Sequence, residues 1–209
     1  MKTLVIGANG QIGRQFCEIA HRNGLPLRAM IRHPNQQSWF HERGIETVIA
    51  DLEGDLHQAF NGCDQAVFTA GSGPHTGPDK TLLVDLYGAI RCIDLAVNAS
   101  LERFLMVSAL RASDPLSAPE KLRPYMAAKF AADAYLRAAR IPHVILKPGR
   151  LTDETPTRLV STSLAHAPDN TVSRGNVAYA LAHLAQTRTL KNREFDLLDG
   201  ESNVAMALV

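Results

Sequence analysis

The sequence predicts an α/β protein: one doubly wound domain spanning residues 1–209, with a mainly parallel sheet and helices on both faces. Three observations carry this expectation. Short apolar runs bounded by turn residues alternate with longer stretches of helical periodicity. The apolar runs lack the in–out alternation of a sheet with one wet face, so both faces are expected to be covered. A chain of 209 residues, 45% of them hydrophobic, can bury one large core and leaves little room for a second.

The elements follow in order. "TLVI" (Thr3 to Ile6) reads as the first buried strand. In "GQIGRQFCEIAHRNG", Ile12, Phe16, Ile19 and Ala20 fall on one helical stripe and Gly24 is a stop signal. "PLRAMI" (Pro26 to Ile31), "ETVIA" (Glu46 to Ala50) and "QAVFTA" (Gln65 to Ala70) are strands two to four. A long helix from about Asp79 to Asn98 places Leu82, Leu86, Ile90, Ile93 and Val97 on one face. "RFLMVSA" (Arg103 to Ala109) is the fifth strand, and the helix after it carries "YMAAK". "HVILK" (His143 to Lys147) is the sixth strand. "SRGNVAYALAHLAQ" (Ser173 to Gln186) is a late helix with Ser173 as N-cap, and "REFDLL" (Arg193 to Leu198) is the last strand. Right-handed crossovers then wind the sheet in both directions, and ligands bind beyond the carboxyl ends of its strands.

Bulk properties exclude several functions. The net charge is +1 and the basic residues are scattered, which argues against nucleic acid or an anionic membrane as partner. Cys17, Cys63 and Cys92 are odd in number, far apart and set among apolar neighbours, as buried thiols of a reducing compartment are. No Cys or His pair has metal-ligand spacing, so no metal site is expected. The apolar run after Lys2 is too short for a signal peptide or a membrane span, so a cytoplasmic protein is expected.

The strand ends carry the chemistry. After the first strand comes "GANGQIG", with Gly7, Gly10 and Gly13 spaced by Asn9, Gln11 and Ile12. The first glycine allows a tight turn, the second lets backbone approach a pyrophosphate, and the third lets helix pack on strand. The helix-start amides then face the anion. This is the dinucleotide cradle of a Rossmann-type domain, although a glycine turn without ligand has the same pattern. The second strand ends at Arg32, where an enzyme that reads a bare ribose has an acid. A guanidinium suits an adenosine 2′-phosphate, which favours NADP(H) over NAD(H); the other reading is a solvated surface arginine. Asp51 could accept from the adenine amino group while Leu52 packs on the ring, or Asp51 could cap the next turn. Ala70, Gly71 and Ser72 are small enough for a coenzyme to lie against backbone, and His75 in the same loop is placed to touch substrate or only solvent.

Ser108 ends the fifth strand, and Pro148 and Gly149 follow the sixth in "KPGRLT". Both ends should face the nicotinamide half of the coenzyme. Tyr125 and Lys129 lie one turn apart on one helix face. Hydride addition to a carbonyl leaves charge on oxygen and requires a proton donor. A lysine ammonium at ~4 Å would favour the phenolate by ~4 kcal/mol at an effective dielectric of ~20, lowering the tyrosine's pKa by up to ~3 units toward neutrality. Ser108 would hydrogen-bond the carbonyl oxygen. The competing reading has Tyr125 at the cleft rim and Lys129 holding only the ribose.

"GANGQIG", the Ser108, Tyr125 and Lys129 set and "KPGRLT" together resemble the short-chain dehydrogenase/reductase superfamily, over nearly the whole chain. The likeness is greatest to its small atypical branch, the NAD(P)-binding, NAD-dependent epimerase/dehydratase-like proteins similar to biliverdin and flavin reductases and to NmrA-type proteins. The resemblance implies that Gly7, Gly10 and Gly13 bind pyrophosphate, that Arg32 meets the 2′-phosphate, and that Ser108, Tyr125 and Lys129 form the active-site set. Asp85 stands where the superfamily usually has an asparagine, and an ionised carboxylate cannot donate as that residue does. Asp85 is expected to pair with Lys129 or to shape its helix.

The function expected is an NADP(H)-dependent oxidoreductase that passes hydride to a small carbonyl, quinone or flavin-like acceptor. The alternatives are a non-enzymatic NADP(H)-binding redox sensor of NmrA type and a nucleotide-sugar epimerase or dehydratase. The last is weakened because such enzymes carry a sizeable C-terminal substrate domain, whereas about 60 residues follow "KPGRLT". The substrate pocket depends on the loop from Gly71 to Asp79 and the segment from Thr152 to Asn170. The chain is expected to be a monomer or a homodimer, with the long helix from Asp79 either buried or a dimer face.

Overall fold

The computed structural model describes residues 1–73, 75–166 and 169–209; Pro74 in the first pocket loop and Ala167 and Pro168 in the second pocket segment lie outside the described residues. Nine strands form one sheet in the order β11-β8-β10-β6-β5-β4-β1-β2-β3. Its body comprises β1 (Thr3–Ile6), β2 (Leu27–Ile31), β3 (Glu46–Ile49), β4 (Gln65–Phe68), β5 (Arg103–Val107), β6 (His143–Pro148) and β10 (Arg193–Asp199). Neighbours within this body all pair in parallel. The strand order reverses at β1, with β2 on one side and β4 on the other, so the doubly wound sheet expected from sequence is the fold observed.

Alternation along each strand divides the core in two. Val5, Leu105, Val107, Val144 and Leu146 face a layer that includes α1 (Gln11–Arg22) and α7 (Arg174–Gln186). Leu4, Ile6, Phe104, Met106 and Ile145 face the opposite layer, with α5 (Ala89–Asn98) and α6 (Arg123–Ala138). Ser173 caps α7 as expected, its side chain accepting from the Asn176 amide. All three cysteines are buried and unbridged. The edge strand β3 is half exposed, as only one neighbour covers it.

The long helix departs from its expected face. It runs as a short turn α4 (Pro78–Lys80), a π-helix at Thr81–Gly88 and then α5. The wider π turn rotates the stripe, so that Thr81, Asp85 and Gly88 point inward. Leu82, expected on the buried face, is 55% exposed. Gly88 is needed there, since a Cβ would sit 3.2 Å from Leu52 Cβ. A π segment inside a helix frequently marks a functional position, and here it brings Asp85 into the core.

The residues after β6 do not form a separate unit. β7 (Arg150–Thr152) pairs in parallel with β9 (Thr171–Ser173) as a small ribbon. β8 (Leu159–Ser161) and β11 (Ser202–Asn203) extend the main sheet antiparallel beyond β10, and α8 (Val204–Ala207) closes the described chain. Two short helices, α2 (Gln37–His41) and α3 (His57–Phe60), fill the remaining crossovers.

At the amino end of the sheet, buried Arg103 serves as a cap for α7. Its Nη1 donates to the carbonyls of Leu184 (3.0 Å) and Thr187 (2.7 Å), and Nη2 donates to Leu190 (3.4 Å). These are orphan carbonyls at and beyond the helix end, and a cation there is doubly suited. Arg103→Met is therefore expected to destabilise the fold by about 2–4 kcal/mol, read as a lower urea midpoint at unchanged slope. A loss below about 0.5 kcal/mol, the range of surface substitutions, would contradict the capping role.

Candidate functional site

The site is assembled where β1, β4, β5 and β6 end. Gly7 has φ +81, and a Cβ on it would meet Ala70 N at 2.5 Å, so the end of β4 lies directly against the turn. A Cβ on Gly13 would enter the Gly7 carbonyl oxygen and lie 2.8 Å from Ala8 O, which fixes how closely α1 approaches β1. Gly10 differs. A Cβ there would meet only the Gly7 carbonyl, at 3.2 Å, and the residue is exposed at the N-cap of α1 with no side-chain cap. Packing explains the first and third glycines. The second leaves an open path to the uncapped amides around Gln11 and Ile12, and a diphosphate fits that cradle.

Around this cradle the structure sorts the expected contacts. Arg32 is exposed, and the turn that carries it is fixed by Gln36, whose Oε1 accepts from the amides of Arg32 (2.9 Å) and His33 (3.2 Å). Asn9 is turned to Arg14, its Oδ1 accepting from that guanidinium. Asp51 takes the turn-capping alternative, Oδ1 accepting from the Glu53 amide at 3.0 Å. Leu52 corrects an expectation: its side chain, 6% exposed, packs in the core beside Gly88 and not toward a ring site. Ala70 is half-buried and Gly71 exposed, leaving backbone accessible at the end of β4. Gly149, after buried Pro148, has a packing role as well, since a Cβ would lie 2.6 Å from Leu198 Cδ2. His75 is exposed.

The polar residues of the active-site set meet below this floor. Asp85 is fully buried; its Oδ2 accepts from the Ser72 amide at 3.0 Å, and Oδ1 has no hydrogen-bond partner. Of the two alternatives for Asp85, the ion pair with Lys129 is not formed; Lys129 is 2% exposed. Its Nζ instead donates to Val107 O at 2.7 Å and lies 5.9 Å from the Phe68 ring centre. Burial pushes the lysine's pKa down, and the negative fields of Asp85 and Asp133 oppose that. Ser108 is also corrected. Its hydroxyl donates inward to Asp133 Oδ2 at 2.6 Å and not toward the cleft.

Asp133 is the residue that sequence reading missed. The signal was present: Tyr125, Lys129 and Asp133 repeat at intervals of four along α6 and so share one face. Its carboxyl is 1% exposed and its Oδ1 has no partner. The nearby cations are engaged elsewhere, since Lys147 and Arg137 both bind Glu194. Tyr125 packs half-buried against Ala109, Ala112, Ala118 and Met126. Its phenol is pushed well above the ordinary range, first by burial and then by Asp85 and Asp133. Burial and these two carboxylates thus act against the lysine-lowered phenol that the sequence led us to expect. One cation that donates to a backbone carbonyl, near two carboxylates, does not favour a third anion.

Burial holds the Asp133 carboxyl above its ordinary range, with Ser108, Lys129, Lys147 and Arg137 opposing. The folded state therefore binds this proton more tightly than the unfolded state. The stabilisation is complete below the unfolded aspartate value of ~4 and is lost as pH rises through the higher folded value. Asp133→Asn is expected to remove that decline, so that the variant gains stability relative to the parent over the interval above about pH 4. Urea unfolding across this interval measures it; a parallel pH profile for the two proteins would contradict it.

Comparison with known proteins places this geometry in a family. The family model described as NAD(P)H-binding matches residues 7–188. A Bacillus subtilis (strain 168) protein named uncharacterized sugar epimerase YhfK is 41% identical over 212 residues, covering 100% of this chain and 99% of that one. A solved structure from Bacillus halodurans, provisionally described as a NAD-dependent epimerase/dehydratase, has a TM-score of 0.94 and 37% identity, covering 99% of this chain and 97% of that one. The anaerobillin reductase ChuY from Escherichia coli O157:H7 shares the fold, with a TM-score of 0.79 at 22% identity over 95% of this chain and 97% of that one. The chain belongs to the NAD(P)H-binding family, and its fold is like that of the small atypical short-chain dehydrogenase/reductases.

Proposed function

We propose that this protein is an NADPH-dependent reductase that delivers hydride to a small carbonyl, quinone or flavin-like acceptor. The observation that carries the reading is the open, uncapped start of α1 at Gly10, next to a strand end stripped of side chains at Gly71. A dinucleotide fits the first and its nicotinamide half the second. The coenzyme, when bound, would supply the hydride, and solvent water would supply the proton that neutralises the reduced acceptor.

The chain's own residues then bind and orient. Amides at Gln11 and Ile12 hold the diphosphate, while the Gly10 amide is spent on Gly7 O at 3.0 Å. Arg32 meets a 2′-phosphate with a charge-assisted contact. Asp85 holds the Ser72 amide and so fixes the backbone against which the nicotinamide half lies. Lys129 donates to Val107 O and ties α6 to the end of β5. Tyr125, kept as the neutral phenol by burial, donates a hydrogen bond to the acceptor's oxygen and orients it. A phenol with a raised pKa is a poor acid but remains a hydrogen-bond donor at every physiological pH.

The epimerase reading draws on the name of the Bacillus subtilis relative. Against it, the described residues after β6 return to the same sheet as β8, β10 and β11 and build no separate substrate domain. A sensor role would require none of the buried polar set, whose desolvation is costly.

Reductase activity is read as NADPH oxidation across a panel of aldehydes, ketones, quinones and flavins. Turnover with at least one class is expected. With that acceptor, Tyr125→Phe should raise KM and lower kcat/KM by about 10-fold, the cost of one hydrogen bond. No turnover with any acceptor class would contradict the reductase reading. A fall in kcat of several orders of magnitude at constant KM would restore Tyr125 as the proton donor.

A further inference from the structure

Arg32 is not the only arginine near the glycine turn. Arg14, one residue past Gly13 on α1, donates from Nε (3.0 Å) and Nη2 (2.6 Å) to Asn9 Oδ1. Its guanidinium carbon lies 5.0 Å from the ring centre of Trp39, the chain's single tryptophan. Arg43 lies over the same ring at 4.0 Å but also faces the carboxylates of Glu18 (4.0 Å) and Glu42 (3.8 Å). Among the described residues, neither Arg14 nor Arg32 has a carboxylate within ion-pair distance. Asn9 belongs to the glycine turn, and Trp39 lies on α2, the helix that follows Arg32. Arg14 is therefore held between the diphosphate cradle and the Arg32 turn.

A solvated arginine samples many rotamers, and binding an anion would have to order it. Arg14 is already ordered by Asn9 and by the indole, so that cost is largely removed before any ligand arrives. Asn9 takes Nε and one Nη2 hydrogen, which leaves three N–H donors of the guanidinium. A phosphate monoester dianion at this position would otherwise meet one flexible guanidinium for two charges. Two arginines balance it, one fixed and one mobile.

We propose that Arg14 is a specificity-determining residue that binds, together with Arg32, the phosphate on the adenosine 2′-oxygen of the coenzyme, and that Asn9 and Trp39 position it. The proposal rests on the coenzyme reading above and deepens it. The same geometry makes Trp39 an intrinsic reporter, because a ligand on Arg14 changes the charge that lies against the only indole.

The test is calorimetric titration of the full-length protein and its Arg14→Gln and Arg32→Gln variants with NADPH and with NADH. Tryptophan emission is followed in parallel with 2′,5′-ADP and 5′-ADP. Arg14→Gln is expected to weaken NADPH binding about 10- to 100-fold, the worth of a charge-assisted hydrogen bond, while NADH binding changes by less than about 2-fold. The parent's emission should respond to 2′,5′-ADP and much less to 5′-ADP. Equal weakening of both coenzymes would move Arg14 to the diphosphate and overturn the proposal, as would unchanged NADPH affinity. Either result leaves coenzyme binding intact and so touches only this inference. Failure of the parent to bind either coenzyme would overturn the functional reading with it.

Discussion

The close approach of three backbone segments, at the turn between β1 and α1, is the constraint on which the rest of the structure depends. Gly7 lies against the end of β4 and Gly13 against the turn itself, both at distances that exclude a Cβ. The consequence reaches beyond packing. With no side chain to cap it, α1 begins at an open set of amides aimed across the carboxyl end of the sheet. Every other part of the site is placed relative to that opening. Arg32 follows β2, one strand away, and the bare backbone at Gly71 follows β4, the neighbour on the other side.

A second feature of the site is its buried charge. Asp85, Lys129 and Asp133 lie within the fold, two carboxylates for one ammonium, and each carboxylate has an oxygen without a partner. Removing such groups from water is expensive unless they are paired or protonated. The arrangement ties elements together: Asp85 holds the loop after β4 through the Ser72 amide, Lys129 holds the end of β5, and Asp133 holds Ser108. The tyrosine beside them consequently experiences net negative charge, and its phenol is stabilised in the neutral form. The pair in "YMAAK" thus shares a helix face on which burial and two carboxylates act against activation of the tyrosine by the lysine.

The body of the sheet was legible in the sequence because each of its strands is a short apolar run and the longer crossovers have helical periodicity, whereas the short helices α2 and α3 are too brief to show one. The glycine turn was legible because its spacing answers a steric demand. What the sequence did not disclose depends on contacts between distant segments. Spacing identified Lys129 but not its acceptor, Val107 O, which is a backbone atom 22 residues earlier. Ser108 read as a cleft residue because its partner, Asp133, lies 25 residues away. The π segment at Thr81–Gly88 was hidden because hydrophobic periodicity was read at the α-helical repeat, and the wider turn shifts which residues face in. The placement of Arg14 was not legible because it depends on an aromatic side chain on the distant helix α2.

The central claim is that a diphosphate binds on the open amides beside Gly10. Its most direct measurement is calorimetry of NADPH with the parent protein and with Gly10→Val, whose side chain would stand over those amides while its backbone, at φ −73 and ψ 167, stays in a region open to valine. Uptake by the parent, and loss of at least about 100-fold in affinity for a variant with an unchanged unfolding midpoint, is the result expected. Equal affinity in the two proteins, or no uptake by the parent, would contradict the assignment of this turn as the coenzyme site.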